Sequence, residues 1–220
     1  MQSQDAGTGE MRQVEAARYA LLRRLTMAMR HQMVVHLQPI GMVSELMERR
    51  LRHPEPDLAQ LGDSMDKVQD FARAGVDASL DYVTWLAPEA GVEVPLDAGV
   101  EECVRLLRSA FSFRGLALRS TVGDWPQPVS RPALRMLLPA VLFGLTESTQ
   151  GPASVVVSAQ VDVQGRLLLE VRVQPGAGSP GFAAPASYRP LSWTEVAQLA
   201  RSEHVSLKRT AAGASLRWPA

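Results

Sequence analysis

Apolar positions recur along this chain with two different periods, and the change of period divides it. At about 100° per residue, Met29, Met33, His36, Ile40, Val43 and Met47 fall in one narrow stripe. Their 4-3-4-3-4 spacing is that of a helix packed in a bundle. The surrounding stretch, Met11 to about Leu51, is rich in Arg, Leu, Met, Ala and Glu and predicts one very long helix. Pro39 removes an amide donor inside it, so a kink is expected there. His53-Pro54-Glu55-Pro56 stops the helix, and Asp57 is placed to cap the next one. Apolar residues then recur at Leu58, Leu61, Met65, Val68 and Ala72, and the second helix is expected to end near Leu86, before Pro88. Residues 11–88 thus predict an antiparallel helical hairpin. Residues 1–10 are polar and predict a loose, disordered tail.

From about Val92 the period shortens. Val92 to Leu96 reads as a short strand and Asp97 to Arg114 as a helix, and Leu116 to Val122 alternates like a strand. Ser130-Arg131-Pro132 is a helix start, with Ser as cap and Pro in the first turn. Two strand-like runs follow, Ala153 to Val161 and Leu167 to Val173, joined by a turn at Gln164-Gly165. A Gly/Pro-rich loop covers Pro175 to Pro190. Leu191 to Ser202 suits a helix, and His204 to Lys208 and Ala214 to Trp218 suit closing strands. Residues 89–220 therefore predict an α+β sandwich, one sheet covered by helices on one face.

Charge and composition narrow the function classes. Lys and Arg total 23, as do Asp and Glu, so no net field draws the chain to nucleic acid or an anionic membrane. No apolar run is long enough to span a bilayer. The lone cysteine, Cys103, rules out an internal disulfide framework and fits a reducing, cytoplasmic setting. Its apolar-periodic surroundings predict a buried small hydrophobe. His53 and His204 have no neighbours at metal-ligand spacing. Arginines concentrate on the first helix and aspartates on the second, which favours their pairing modestly. Two helices bury little, whereas four from two chains make a full core, so a homodimer through the hairpin is expected.

His31 lies roughly 200° from Met29 on the helical wheel and so points away from the stripe. A neutral imidazole on the open side of a bundle helix is a nucleophile available to whatever docks there. Arg24, Arg30, Val35, Gln38, Met42 and Glu45 flank it and are the expected partner contacts. The plainer alternative is a surface histidine without chemistry.

The long hairpin, followed by this order of elements, resembles the core of bacterial two-component histidine kinases. His31…Leu37-Gln38…Ile40…Glu45-Leu46 looks like the kinase His box, and Thr210 to Pro219 resembles the closing strand of the kinase ATP-binding sandwich. By that match His31 is the phosphoacceptor. The departures bear on mechanism. An apolar residue near Phe143 stands where the family places a magnesium-holding Asn, and Gln174-Pro175-Gly176 stands where it places Asp-x-Gly. Gly176 to Gly181 lacks a phosphate cradle, and Glu147 has no companion metal ligands in the sequence. Gln32 replaces the acid that usually follows the histidine.

The resemblance therefore implies a histidine phosphotransferase with a degenerate ATP domain. It would relay phosphoryl groups between His31 and receiver-domain aspartates of response regulators, with no cofactor of its own and with Mg²⁺ supplied by the receiver. The alternative is a dimeric adaptor or pseudokinase that binds a kinase or receiver without carrying phosphate.

Overall fold

The computed structural model describes residues 2–87, 90–149, 152–177, 181 and 189–219, and for residues 2–7 the backbone alone. It separates into two compact units. One is Met27–Pro88; the other joins Met1–Thr26 to Glu89–Ala220.

The first unit is a helical hairpin. Helix α1 (Gln2–Leu51) contributes its C-terminal half, and α2 (Leu58–Leu86) returns beside it. Asp57 caps α2 as expected: its carboxylate accepts from the backbone N–H groups of Ala59 and Gln60 at 2.9 and 3.1 Å. The antiparallel register is fixed near the turn, where Arg50 donates to Gln60 O and Ser64 Oγ at 3.2 and 3.0 Å. Farther along, a Cβ on Gly75 would lie 3.1 Å from Leu37 Cδ2, so the helices approach closely there. The stripe Met29 to Met47 is buried or half-buried throughout. On α2 the covered positions include Leu61, Ser64, Val68, Phe71, Gly75, Ala78, Tyr82 and Trp85, in three-four alternation, with Ala72, Ala74 and Ser79 half-buried beside them. Leu58 and Met65, expected to share that stripe, instead form a second row with Val76, Leu80 and Val83, and this row is exposed. The contacts seen along α1 and α2 differ from the expected pairing of arginines with aspartates across the hairpin. Arg50 meets a carbonyl and a hydroxyl, while Arg52 pairs with Glu48 and Arg73 with Asp70 inside their own helices.

Two boundaries differ from expectation. Residues 2–10 continue α1 rather than forming a tail, because lengthening an existing helix adds a hydrogen bond per residue without a new nucleus. Residues 11–26 belong with the sandwich rather than the hairpin, for the reason given below.

The second unit is the α+β layer structure. Strands β1 (Glu93–Pro95) and β3 (Pro128–Ser130) form a small antiparallel ribbon. The main sheet has the order β2-β4-β5-β7-β6, from β2 (Leu116–Ser120), β4 (Ala153–Val161), β5 (Leu167–Pro175), β6 (Ser206–Thr210) and β7 (Gly213–Arg217). Only β2 and β4 run parallel. Alternate residues, Ala153, Val155 and Val157 on β4 and Leu167, Leu169 and Val171 on β5, are buried. Helices α3 (Leu96–Phe113), α4 (Arg131–Thr146) and α5 (Trp193–Ser202) supply the other half of the core with Leu107, Phe111, Leu134, Leu138, Leu142, Val196 and Leu199. Cys103 is fully buried in it, as its surroundings required.

Caps mark these helices in the sequence. Ser130 accepts from Ala133 N–H, and Ser192 forms a reciprocal capping box with Glu195. Helix α5 ends in a Schellman motif, Val205 N–H to Ala200 O and His204 N–H to Arg201 O, with His204 at φ 56°. The Gly/Pro-rich stretch from Pro175 to Pro190 lies largely outside the described residues, as does most of the expected Gly176–Gly181 lid.

Candidate functional site

His31 sits in the hairpin unit on α1, on the side opposite the covered stripe, and is half-buried. Val35 and Met42 are exposed at 49% and 64%, and Arg30, Gln38 and Glu45 are exposed too. His36 lies in the covered stripe, its Cβ against Gly75. Four of the six expected contacts, Val35, Gln38, Met42 and Glu45, share the histidine's face, whereas Arg30 lies about 100° away.

Arg24 is placed differently. It was expected to stand open beside His31, but it is engaged with the sandwich. Its Nη2 lies 2.5 Å from Glu147 Oε2, and its guanidinium stacks over the Phe143 ring at 4.8 Å. Phe143 in turn packs on Phe111 at 5.9 Å, with Arg114 at 5.8 Å from that ring. Arg114 donates to Thr146 O at 2.6 Å. Burial lowers the Arg114 pKa, Glu147 opposes that shift, and Arg24 adds to it. Glu147, considered from sequence as a lone metal ligand, is thus a counter-ion between two guanidinium groups. Among the described residues no group of three or more His, Cys, Asp or Glu side chains is placed to hold a metal ion.

The N-terminal half of α1 reaches this position by an apolar edge of its own. Val14, Ala17, Ala20, Leu21 and Leu25 are buried. Polar contacts flank them: Arg18 with Glu203 at 3.0 Å, just past α5, and Gln13 with Gln198 at 2.5 Å on α5. This burial is why residues 11–26 fold with the sandwich.

One heptad spacing runs through both halves, its face drifting about 20° per heptad on a straight helix. Val14, Ala17, Leu21, Arg24, Ala28, His31, Val35, Gln38, Met42 and Glu45 follow one another at alternating steps of three and four. Sequence reasoning took the row's C-terminal part as a docking face and missed that its N-terminal part is already used. The signal was legible: the Val14-Ala17-Leu21 spacing is as regular as that of the Met29 stripe, but turned roughly 90° from it.

A hollow of about 270 Å³ beside β2 is lined by Arg108, Ser112, Gly115 and Leu116 to Leu118, and includes none of the residues singled out from sequence. No helix among the described residues is long and apolar enough to cross a membrane.

No protein-family model and no curated protein matches the sequence. Among solved structures, the chain is similar to three histidine kinases. Acinetobacter baumannii histidine kinase AdeS shares 13% identity over 81% of this chain and 93% of its own, with a TM-score of 0.42. A histidine kinase from Burkholderia phymatum STM815 shares 16% over 89% and 96%, with a TM-score of 0.43. The Erythrobacter litoralis EL346 blue-light activated histidine kinase shares 15% over 83% and 63%, with a TM-score of 0.45. Likeness at this level does not by itself assign an activity.

Proposed function

We propose that this chain is a histidine phosphotransfer protein of two-component signalling, acting in the cytoplasm as a homodimer and without ATP. The observation that carries the reading is the position of His31. It lies on the α1 face turned away from α2, in line with Val35, Gln38, Met42 and Glu45, within a segment that resembles the kinase His box.

Transfer would proceed in line. A ring nitrogen of His31 attacks the phosphorus of an aspartyl phosphate on a receiver domain. The N–P bond forms as the P–O bond to the aspartate breaks, and the aspartate leaves as a carboxylate. Mg²⁺ carried by the receiver would neutralise charge on the phosphoryl oxygens. Val35 and Met42 would give the receiver an apolar seat beside the imidazole, with Gln38 and Glu45 at its polar margin.

Two further features support the proposal. The exposed row Leu58, Met65, Val76, Leu80 and Val83 offers the hairpin a second packing face, as a four-helix bundle from two copies requires. Phe143 and Glu147 are already committed to Arg24, which favours a sandwich that works without nucleotide. Gln32, standing where the family has an acid, favours a second reading, a dimeric adaptor that binds a receiver or kinase without taking its phosphate.

Incubation with receiver domains carrying a labelled acyl phosphate separates these readings. Label that moves to the wild-type chain and not to His31→Ala supports transfer. A stable complex with no label on the chain supports the adaptor. Labelling from ATP alone would overturn the nucleotide-free reading.

A further inference from the structure

Strand β2 forms one edge of the main sheet, with β4 on one side and no strand on the other among the described residues. Its parallel register fixes which backbone groups face outward. Gly115 O accepts from Ala153 N–H at 3.2 Å, and Thr121 N–H donates to Val157 O at 2.8 Å. Ala117 and Arg119, between them, therefore turn their peptide groups toward β4. The N–H and C=O groups of Leu116, Leu118 and Ser120 point the other way and have no backbone partner among the described residues. Such a row of outward donors and acceptors is a template for a further strand.

Space and charge lie beside this edge. The hollow of about 270 Å³ is lined by Arg108, Ser112 and Gly115 to Leu118. It is smaller than the roughly 300–1,000 Å³ of an ordinary small-molecule pocket, whereas a strand added to an edge needs only a shelf along the backbone. Helix α3 ends at Phe113 and the chain returns along β2 from Leu116. Counted from that turn, Arg108 and Arg105 lie about 8 and 12 Å back along the helix, level with Leu118 and Ser120 at about 7 and 13 Å along the strand. Arg119 alternates with the buried leucines and so projects from the opposite face of the sheet. Arg105 and Arg119 are exposed and make no ion pair among the described residues. Arg108 reaches Glu101 at 3.2 Å, an exposed pair of the kind that contributes little.

The charges select the occupant. Two copies of β2 paired edge to edge would set the arginines of one against those of the other, and like charges opposed across a strand pair are destabilising. A strand bearing carboxylates meets a cation on either face instead. We infer that the β2 edge docks an extended acidic segment of a partner protein, which joins the sheet as a further strand. The segment's backbone pairs with Leu116, Leu118 and Ser120. Its side chains alternate, one set falling toward Arg105 and Arg108 and the other toward Arg119. The inference is independent of His31 and holds whether or not that histidine takes phosphate.

The test is an NMR titration of the full chain with a short peptide of repeated Glu-Glu-Val-Val, a pattern that puts glutamates on both faces of a strand. The amide signals of Leu116, Leu118 and Ser120 are expected to move, and added salt should weaken the binding. Arg108→Glu and Arg119→Glu, both at exposed positions, are each expected to weaken it roughly tenfold with the melting temperature unchanged. The same peptide N-methylated at its central residues keeps its charge but cannot pair, and it is expected not to bind, as is a Lys-Lys-Val-Val counterpart. Binding that survives N-methylation, or that is unchanged in both arginine variants, is simple ion association and overturns the inference. Absence of binding by the Glu-Glu-Val-Val peptide overturns it too. Movement of the same amides when the wild-type chain is merely concentrated assigns the edge to a second copy, and a stronger response to oligothymidylate than to the peptide assigns the cations to nucleic acid. Either result overturns the acidic segment as occupant.

Discussion

The two halves of α1 carry the same heptad spacing into different surroundings. Over residues 14–25 the row is buried against α4 and α5; over residues 31–45 it meets solvent or is half-covered. The residues differ accordingly. The N-terminal half uses Val, Ala and Leu, with Arg18 and Arg24 reaching glutamates. The C-terminal half mixes His, Val, Gln, Met and Glu, a composition that avoids sticking yet offers both apolar and polar contact. Helical periodicity tells where a face is, and residue chemistry tells whether it is filled for good.

The contrast extends to the two units. The sandwich has a closed core, whereas the hairpin leaves one row of each helix uncovered. Truncation inside the sandwich should do the most damage. Leu138→Ala empties a fully buried site on α4 and is expected to cost about 2–5 kcal/mol, read as a lowered urea midpoint. The same truncation at exposed Leu80 should leave the midpoint of a dilute sample within about 0.5 kcal/mol.

Glycine sharpens the comparison. A Cβ on Gly213 would lie within bonding range of the Val171 carbonyl, in the backbone of the neighbouring strand, so Gly213→Ala is expected to destabilise by about 1–3 kcal/mol. At Gly75 the nearest atom is the mobile end of Leu37, and alanine gains about 1 kcal/mol of helix propensity. Gly75→Ala should therefore change hairpin stability by less than Gly213→Ala changes the sandwich, as parallel denaturation curves would show.

Acid should act on the sandwich at two carboxylates held below their usual range, Asp162 in the β4–β5 turn and Glu195 at the start of α5. The Glu195 carboxyl is lowered to about 2, chiefly by its hydrogen bonds from Arg189, with Ser192 contributing. A carboxylate whose folded pKa is depressed stabilises fully above its unfolded value and loses that contribution as pH falls toward the folded one. The capping box of α5 should thus weaken between about pH 5 and pH 2, and an NMR titration should place the Glu195 midpoint near the lower end. Glu195→Gln should flatten that part of the acid-stability curve.

A small gain is expected at His204, whose φ of 56° suits glycine. His204→Gly should raise stability by about 0.5–1 kcal/mol if relief of backbone strain outweighs the added freedom of the unfolded chain. A lowered melting temperature would show that the imidazole contributes more than its backbone costs.

Much of this fold was legible in the sequence, because local rules and global packing agree there. Asp57, Ser130 and Ser192 announced their helices, and Met29 to Met47 announced the face toward α2. The Asp162 turn was marked by Gly165, which adopts φ 76° beneath two backbone bonds to the aspartate. What escaped were the relations between distant segments. Ribbon strand β3 is three residues long and exists only because β1 pairs with it. Leu58 and Met65 looked like core because α2 carries two apolar rows, and composition does not say which is covered. Arg24 looked like a surface residue because its partner Glu147 lies more than a hundred residues away.

If the proposed homodimer packs through the bare row on α2, copy number becomes a physical variable for this protein. Leu58, Leu80 and Val83 remain 77%, 62% and 57% exposed in a single chain, so whatever covers them adds its binding free energy to folding. Diluting the protein should then loosen the hairpin while the sandwich stays intact, and a cell could tune the stalk simply by how much of the chain it makes.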